Sequence, residues 1–144
     1  MKIFVICSKA FYPLIHGIKR TLEESGHEVL LPNCYDNPEL EDQMKHLSDK
    51  EHSIFKASMI RRSELVISNV DSVLVLNFSK NGIPGYIGGA TFLEMYNAFR
   101  LDKSIYMFNG VSDSSLSDEI KGFSPTIING DLSRLKLKGE LNND

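Results

Sequence analysis

The sequence predicts an α/β fold on a parallel sheet, and three observations predict it. Short apolar runs recur at Ile3 to Cys7, Glu28 to Leu31, Val73 to Asn77, Ile105 to Phe108 and, more weakly, Thr126 to Ile128. Stretches with helical apolar spacing alternate with them, the pattern of a sheet with helices on both faces. The first and third runs are continuously apolar, as strands buried on both faces must be. Right-handed crossovers with the first strand central then give a flavodoxin-like three-layer fold, a five-stranded parallel sheet of order 2-1-3-4-5.

Each element follows from its residues. Met1 to Ile6 enters the first strand directly, and Ser8 to Tyr12 reads as a loop. Pro13 suits the first turn of a helix, because its missing N–H has no partner to lose there. Leu14, Ile18 and Leu22 share one face of that helix, which runs to about Ser25 and stops at Gly26. The second strand closes at Pro32-Asn33, and Asn37-Pro38 marks a turn. Residues from about Leu40 to Ser68 are helix-compatible, with Ile54, Phe55, Met59, Arg62 and Leu65 on three-four spacing. The charged stretch before Glu51 is less periodic and reads as a separate short helix or a mobile segment. A helix over Phe92 to Leu101 and a short one within Asp113 to Lys121 complete the set, and the tail from Gly139 is polar and frayed.

Length and composition bound the function. One domain over residues 1 to 144 is expected, long enough for a core without disulfides or metal. A net charge of −3 with mixed signs excludes an extended nucleic-acid or anionic-membrane surface; Arg61-Arg62 and Lys136 to Lys138 are small solvated clusters. The two cysteines, Cys7 and Cys34, show no Cys-x-x-Cys spacing, and no signal sequence precedes the first strand. A cytoplasmic location with free thiols is the expectation. No apolar run reaches membrane-spanning length. The four histidines (His16, His27, His46, His52) lack metal-ligand spacing, so neither a metal nor another cofactor is expected.

Ligands in such sheets bind beyond the carboxyl ends of the strands, where the strand order reverses. Two loops meet there, Ser8 to Tyr12 and Asn77 to Thr91. In the second, Gly88-Gly89-Ala90-Thr91 opens a helix, where bare backbone lets a ligand reach the amides and the helix end favours negative charge. The rival reading is a loop that only needs unusual dihedrals, and neither a dinucleotide fingerprint nor a Walker loop is present. Glu94 follows in the same helix. Thr91-Phe92-Leu93-Glu94 has the form of a capping box, in which the carboxylate turns back to the Thr91 amide. Its functional reading is a carboxylate that attacks an anomeric carbon or stabilises an oxocarbenium-like transition state. Asn77 stands at the carboxyl end of its strand, either as a ligand hydrogen-bonder or as a turn former. Asp71 lies at the opposite end and reads as a solvated strand-entry residue. Ser8 and Lys9 suit a phosphate, and Phe11, Tyr12 and Tyr86 a stacked base, against the alternatives of solvation and core packing.

These residues resemble the nucleoside 2-deoxyribosyltransferase-like superfamily, through Tyr86-Ile87-Gly88-Gly89-Ala90-Thr91-Phe92-Leu93-Glu94, the strand Asp71 to Asn77 before it and Leu101 to Tyr106 after it. The resemblance covers about Ser63 to Asn109. It implies a glutamate nucleophile at Glu94, beside which the residues read above, Ser8, Lys9, Phe11, Asn77, Tyr86, Gly88, Gly89 and Thr91, are the candidate substrate contacts. It also implies action on the N-glycosidic bond of a nucleoside or nucleotide, in a homodimer or larger homo-oligomer. Two positions depart from the pattern. The aspartate that active members carry six residues before the glutamate is Gly88 here, and another, eight residues before Asp71, is Ser63. Hydrolysis, or nucleotide binding without turnover as in a sensing module, fits those residues better than base exchange. The Gly-Gly-x-Thr-x-x-Glu stretch is also similar to the loop of the cytokinin-activating phosphoribohydrolases, with one glycine fewer.

Overall fold

The computed structural model describes residues 1–137; the frayed tail expected from Gly139, and Lys138 of the basic cluster, lie outside the described residues. Five parallel strands form one sheet: β1 (Lys2–Ile6), β2 (Glu28–Leu30), β3 (Ser72–Val75), β4 (Ser104–Met107) and β5 (Thr126–Ile127), in the order β2-β1-β3-β4-β5. The architecture is the flavodoxin-like one. β1 and β3 pair from Ile3 with Ser72 to Ile6 with Val75, so the chain leaves both strands at the same edge of the sheet.

The side-chain period of two divides the core between the faces. Ile3, Val5, Leu74 and Tyr106 pack with Ile15 and Leu22 of α1 (Ile15–Glu24). Phe4, Ile6, Val73, Val75 and Met107 pack on the other face against Ile67 of α3 (Asp49–Ser68) and Met95 and Ala98 of α4 (Gly89–Arg100), with Ile120 of α5 (Ser117–Gly122). Each large side chain buried this way stabilises the fold by roughly 1.5–3 kcal/mol. α1 ends as its sequence predicts. Gly26 takes φ 91°, and the His27 amide bonds back to Leu22 O at 3.1 Å.

Two local features differ from expectation, and a third settles an alternative left open. The stretch after β1 is a 3-10 helix (Lys9–Leu14) that holds Pro13 inside it, not a loop followed by a proline-opened helix. The charged stretch before Glu51 takes the first of its two readings, a separate short helix α2 (Leu40–Leu47), divided from α3 where Ser48 goes extended and its Oγ accepts the Glu51 amide at 3.0 Å. α4 begins at Gly89, three residues before the expected start at Phe92. On α4, Met95 is buried in the core, whereas Tyr96 and Phe99 are about half exposed. No helix among the described residues is long and apolar enough to cross a membrane.

Candidate active site

A cavity of about 330 Å³ opens beyond the carboxyl ends of β1 and β3, a volume in the range of small-molecule sites. Its walls come from the turn after β1 (Cys7, Ser8, Lys9), the segment after β2 (Pro32, Asn33, Cys34), α2 and α3 (Glu41, Lys56, Met59, Ser63), and the α4 start with Glu94. The two loops that the strand order brings together thus share one hollow.

Glu94 is half-buried in the wall and bonded to α3. The Ser63 hydroxyl donates to Glu94 Oε2 at 2.8 Å, and Asn33 Nδ2 donates to Ser63 Oγ at 2.7 Å and to Met59 O at 3.0 Å. Three elements therefore fix one carboxyl. Burial pushes its pKa from 4.5 to about 7, against the Ser63 hydrogen bond and the Lys56 charge, which both favour the ionised form. The capping box that Thr91 and Glu94 spell does not form. With Gly88 as N-cap, Thr91 lies inside the first turn and Glu94 in the second, turned toward α3.

No side chain caps the α4 start. The amides of its first turn have no intrahelical partners and stand at the cavity wall. Neither glycine there is needed for an unusual dihedral. Gly88 has φ −83°, and of the glycines in that loop only Gly82 and Gly85 have positive φ. A Cβ at Gly89 would meet nothing within 4 Å, so bare backbone there leaves space on the cavity side. At Gly88 a Cβ would meet Tyr86 Oη at 3.4 Å, an ordinary van der Waals contact, so the tyrosine ring does not require glycine there.

The other polar groups sort by partner. Lys9 is paired with Asp42 at 3.0 Å and Lys56 with Glu41 at 2.6 Å, while His52 Nε2 lies 3.2 Å from Glu41 Oε1. Burial pushes the Glu41 carboxyl up, but the Lys56 and His52 hydrogen bonds outweigh it and hold the group below its ordinary range. Cys7 is pushed up to about 12 by burial and then by the Glu94 charge, and burial also raises Cys34. Both thiols stay protonated near neutral pH and are poor nucleophiles. Burial likewise raises Tyr12, whose hydroxyl donates to Asn33 O at 2.8 Å. Cys34 takes φ 62°, a left-handed conformation that costs a side-chain-bearing residue about 1–2 kcal/mol.

Of the residues singled out in the sequence, Glu94, Ser8, Lys9, Tyr12, Gly88, Gly89 and Thr91 line the cavity. Phe11 is buried in the core with its ring 5.6 Å edge-on to Phe78. Asn77 is fully buried and clasps the next loop. Its Nδ2 donates to Asn109 O and Gly110 O at 2.9 and 3.2 Å, and its Oδ1 accepts the Asn109 amide at 2.8 Å. Tyr86 lines a smaller neighbouring depression. Asp71, at the far end of β3, accepts the Lys2 amide at 2.7 Å. Asn33, Glu41, Lys56 and Lys80 were not foreseen. Only Lys80 carried a local signal, the Asn81-Gly82 hairpin turn beside it.

No protein-family model and no curated protein matches the chain. Among solved structures, the CMP N-glycosidase BcmB of Clostridium botulinum resembles it with a TM-score of 0.50 at 13% identity, over 89% of this chain and 86% of that one. At that identity the likeness establishes the common fold, a five-stranded parallel sheet with helices.

Proposed function

We propose that the protein hydrolyses the N-glycosidic bond of a nucleoside or nucleotide, with Glu94 as nucleophile. The observation that supports this most is the Glu94 carboxyl itself, bonded through Ser63 and Asn33 at the wall of a ligand-sized cavity beside bare helix-start backbone. Its pKa of about 7 leaves a large fraction ionised at neutral pH. In the first step the carboxylate attacks C1′, the C1′–N bond breaks with its electron pair on the base, and the base takes a proton from water. In the second step water attacks C1′ of the glycosyl-enzyme and gives its proton to the hydroxide left by the first step, the C1′–O bond to Glu94 breaks, the sugar leaves and the carboxylate is regenerated. The same carboxyl suits the oxocarbenium-like character of both transition states. The fold shared with the CMP N-glycosidase BcmB is consistent with this class of reaction.

Transfer to an acceptor base is less favoured by the residues. Gly88 and Ser63 stand where the resemblance would put carboxylates for the leaving base, and Glu41 is engaged by Lys56 and His52. That engagement also favours a second reading, a nucleotide-binding module without turnover. One experiment separates them. Nucleosides and nucleoside 5′-monophosphates are incubated with the protein and with Glu94→Ala, and free base is followed by chromatography. The hydrolase reading expects the variant to lose at least about a hundredfold in rate. Equal base release from both proteins ends that reading, and a ligand-induced rise in melting temperature without turnover would then favour the binding module.

A further inference from the structure

Three lysines line the cavity, Lys9, Lys56 and Lys80. Carboxylates neutralise the first two. Lys80 has no carboxylate within ion-pair distance among the described residues, and its Nζ donates to Ser8 Oγ at 3.3 Å. Its position is built. Asn81 and Gly82 take φ 50° and 78°, making the tight hairpin turn that Asn-Gly favours. Paired amide bonds between Lys80 and Ile83 close that turn at 2.9 and 3.0 Å. The Tyr86 ring lies under the ammonium at 4.7 Å to its centre. The hairpin is anchored in turn by the Tyr86 amide on Phe78 O at 2.9 Å.

A cation held by a hairpin, a ring and a hydroxyl, with no acid beside it, is arranged for an anionic ligand group. The cation that bears on Glu94 is Lys56. Lys80 instead sits on the Ser8 side of the hollow. We infer that Lys80, with Ser8, anchors a phosphomonoester on the sugar, so that the substrate is a nucleoside monophosphate and not the free nucleoside. This deepens the N-glycosidase reading and rests on it for the reaction, though not for the binding. Tyr86 is then a positioning residue, acting on the ligand through Lys80.

The test compares wild type, Lys80→Met and Lys80→Arg. Binding is read by thermal shift with ribonucleosides, their 5′- and 3′-monophosphates, ribose 5-phosphate and inorganic phosphate. Turnover is read by base release. Wild type is expected to bind and hydrolyse one class of monophosphate about 10–100-fold better than the nucleoside, the worth of one or two charge-assisted hydrogen bonds. Lys80→Met should collapse that ratio toward one, and Lys80→Arg should retain most of it. Protection by inorganic phosphate as strong as by the monophosphates would overturn the assignment to a nucleotide. Equal handling of nucleoside and monophosphate by wild type, or a ratio unchanged in Lys80→Met, overturns the inference even if base release by Glu94 stands. Lys80-dependent monophosphate binding without base release would leave the anchor in place and remove the hydrolase reading.

Discussion

Replacing Glu94 by glutamine should stabilise the protein, and more so as the pH rises. The glutamine keeps the carboxyl's shape and still accepts from the Ser63 hydroxyl, but cannot ionise. In the wild-type fold the carboxyl titrates near 7, against 4.5 when unfolded. Between those values the folded chain holds more protons than the unfolded one, so wild-type stability falls as pH rises through the interval. The contribution of the neutral carboxyl is complete below about 4.5 and lost above about 7. At 1.36 kcal/mol per pH unit, the ionised form costs the fold about 3 kcal/mol. For a chain of 144 residues that is roughly 10 °C in melting temperature. Melting both proteins from pH 4.5 to 8.5 at constant ionic strength cancels every other titrating group in the difference. The gap should be smallest at the acid end and widen by roughly 10 °C toward pH 8. Parallel curves, within about 2 °C throughout, would refute the claim that this carboxyl is held out of water. A site residue whose removal strengthens the fold is the expected signature of a group kept for chemistry.

The remaining expectations concern the same walls. If ionised Glu94 attacks, kcat/KM should rise with pH and level off above about 7; Ser63→Ala, which removes a hydrogen bond favouring the ionised form, should move that rise to higher pH. A kcat/KM that falls through neutrality would instead make Glu94 a proton donor. Asn77→Ala should cost about 2–3 kcal/mol in urea unfolding by orphaning the Asn109 amide and two carbonyls, with its loss in activity tracking the unfolded fraction; a large KM effect in fully folded protein would make Asn77 a ligand residue. Gly89→Val should change stability by less than about 1 kcal/mol, since a Cβ there meets nothing within 4 Å, yet weaken nucleotide protection in thermal shift at least tenfold; undiminished binding would place the ligand elsewhere.

The sheet was legible because burial on both faces leaves an unmistakable trace. Ile3 to Ile6 and Val73 to Leu76 offer no polar position at all, and handedness leaves few ways to order such strands. The site was legible only where topology dictates it. Ser8 and Gly89 come together because parallel strands β1 and β3 release the chain at one edge. Local pattern misled at Glu94. Ser48-Asp49-Lys50-Glu51 and Thr91-Phe92-Leu93-Glu94 have the same form, yet only the Ser48 side chain caps its helix. Two glycines before Thr91 let the helix begin earlier and carry Glu94 round to face α3. The Asn33–Ser63–Glu94 chain joins residues about 30 apart through tertiary packing, and no window along the sequence contains it. Asn77 shows the reverse case, a polar residue at a strand's carboxyl end whose hydrogen bonds go to the neighbouring loop and not to the cavity.

α2 forms part of the cavity rim, yet none of its residues is fully buried. Two ion pairs join it to the body, Asp42 with Lys9 and Glu41 with Lys56, and His52 Nε2 lies within hydrogen-bond distance of Glu41. Such contacts weaken as dissolved ions screen them, whereas the apolar packing of the sheet does not. Residues 40–47 should therefore be the first helical amides to exchange with deuterated solvent, and the only ones that sodium chloride markedly hastens. In briny solution this rim would swing loose while the five strands beneath it stay locked.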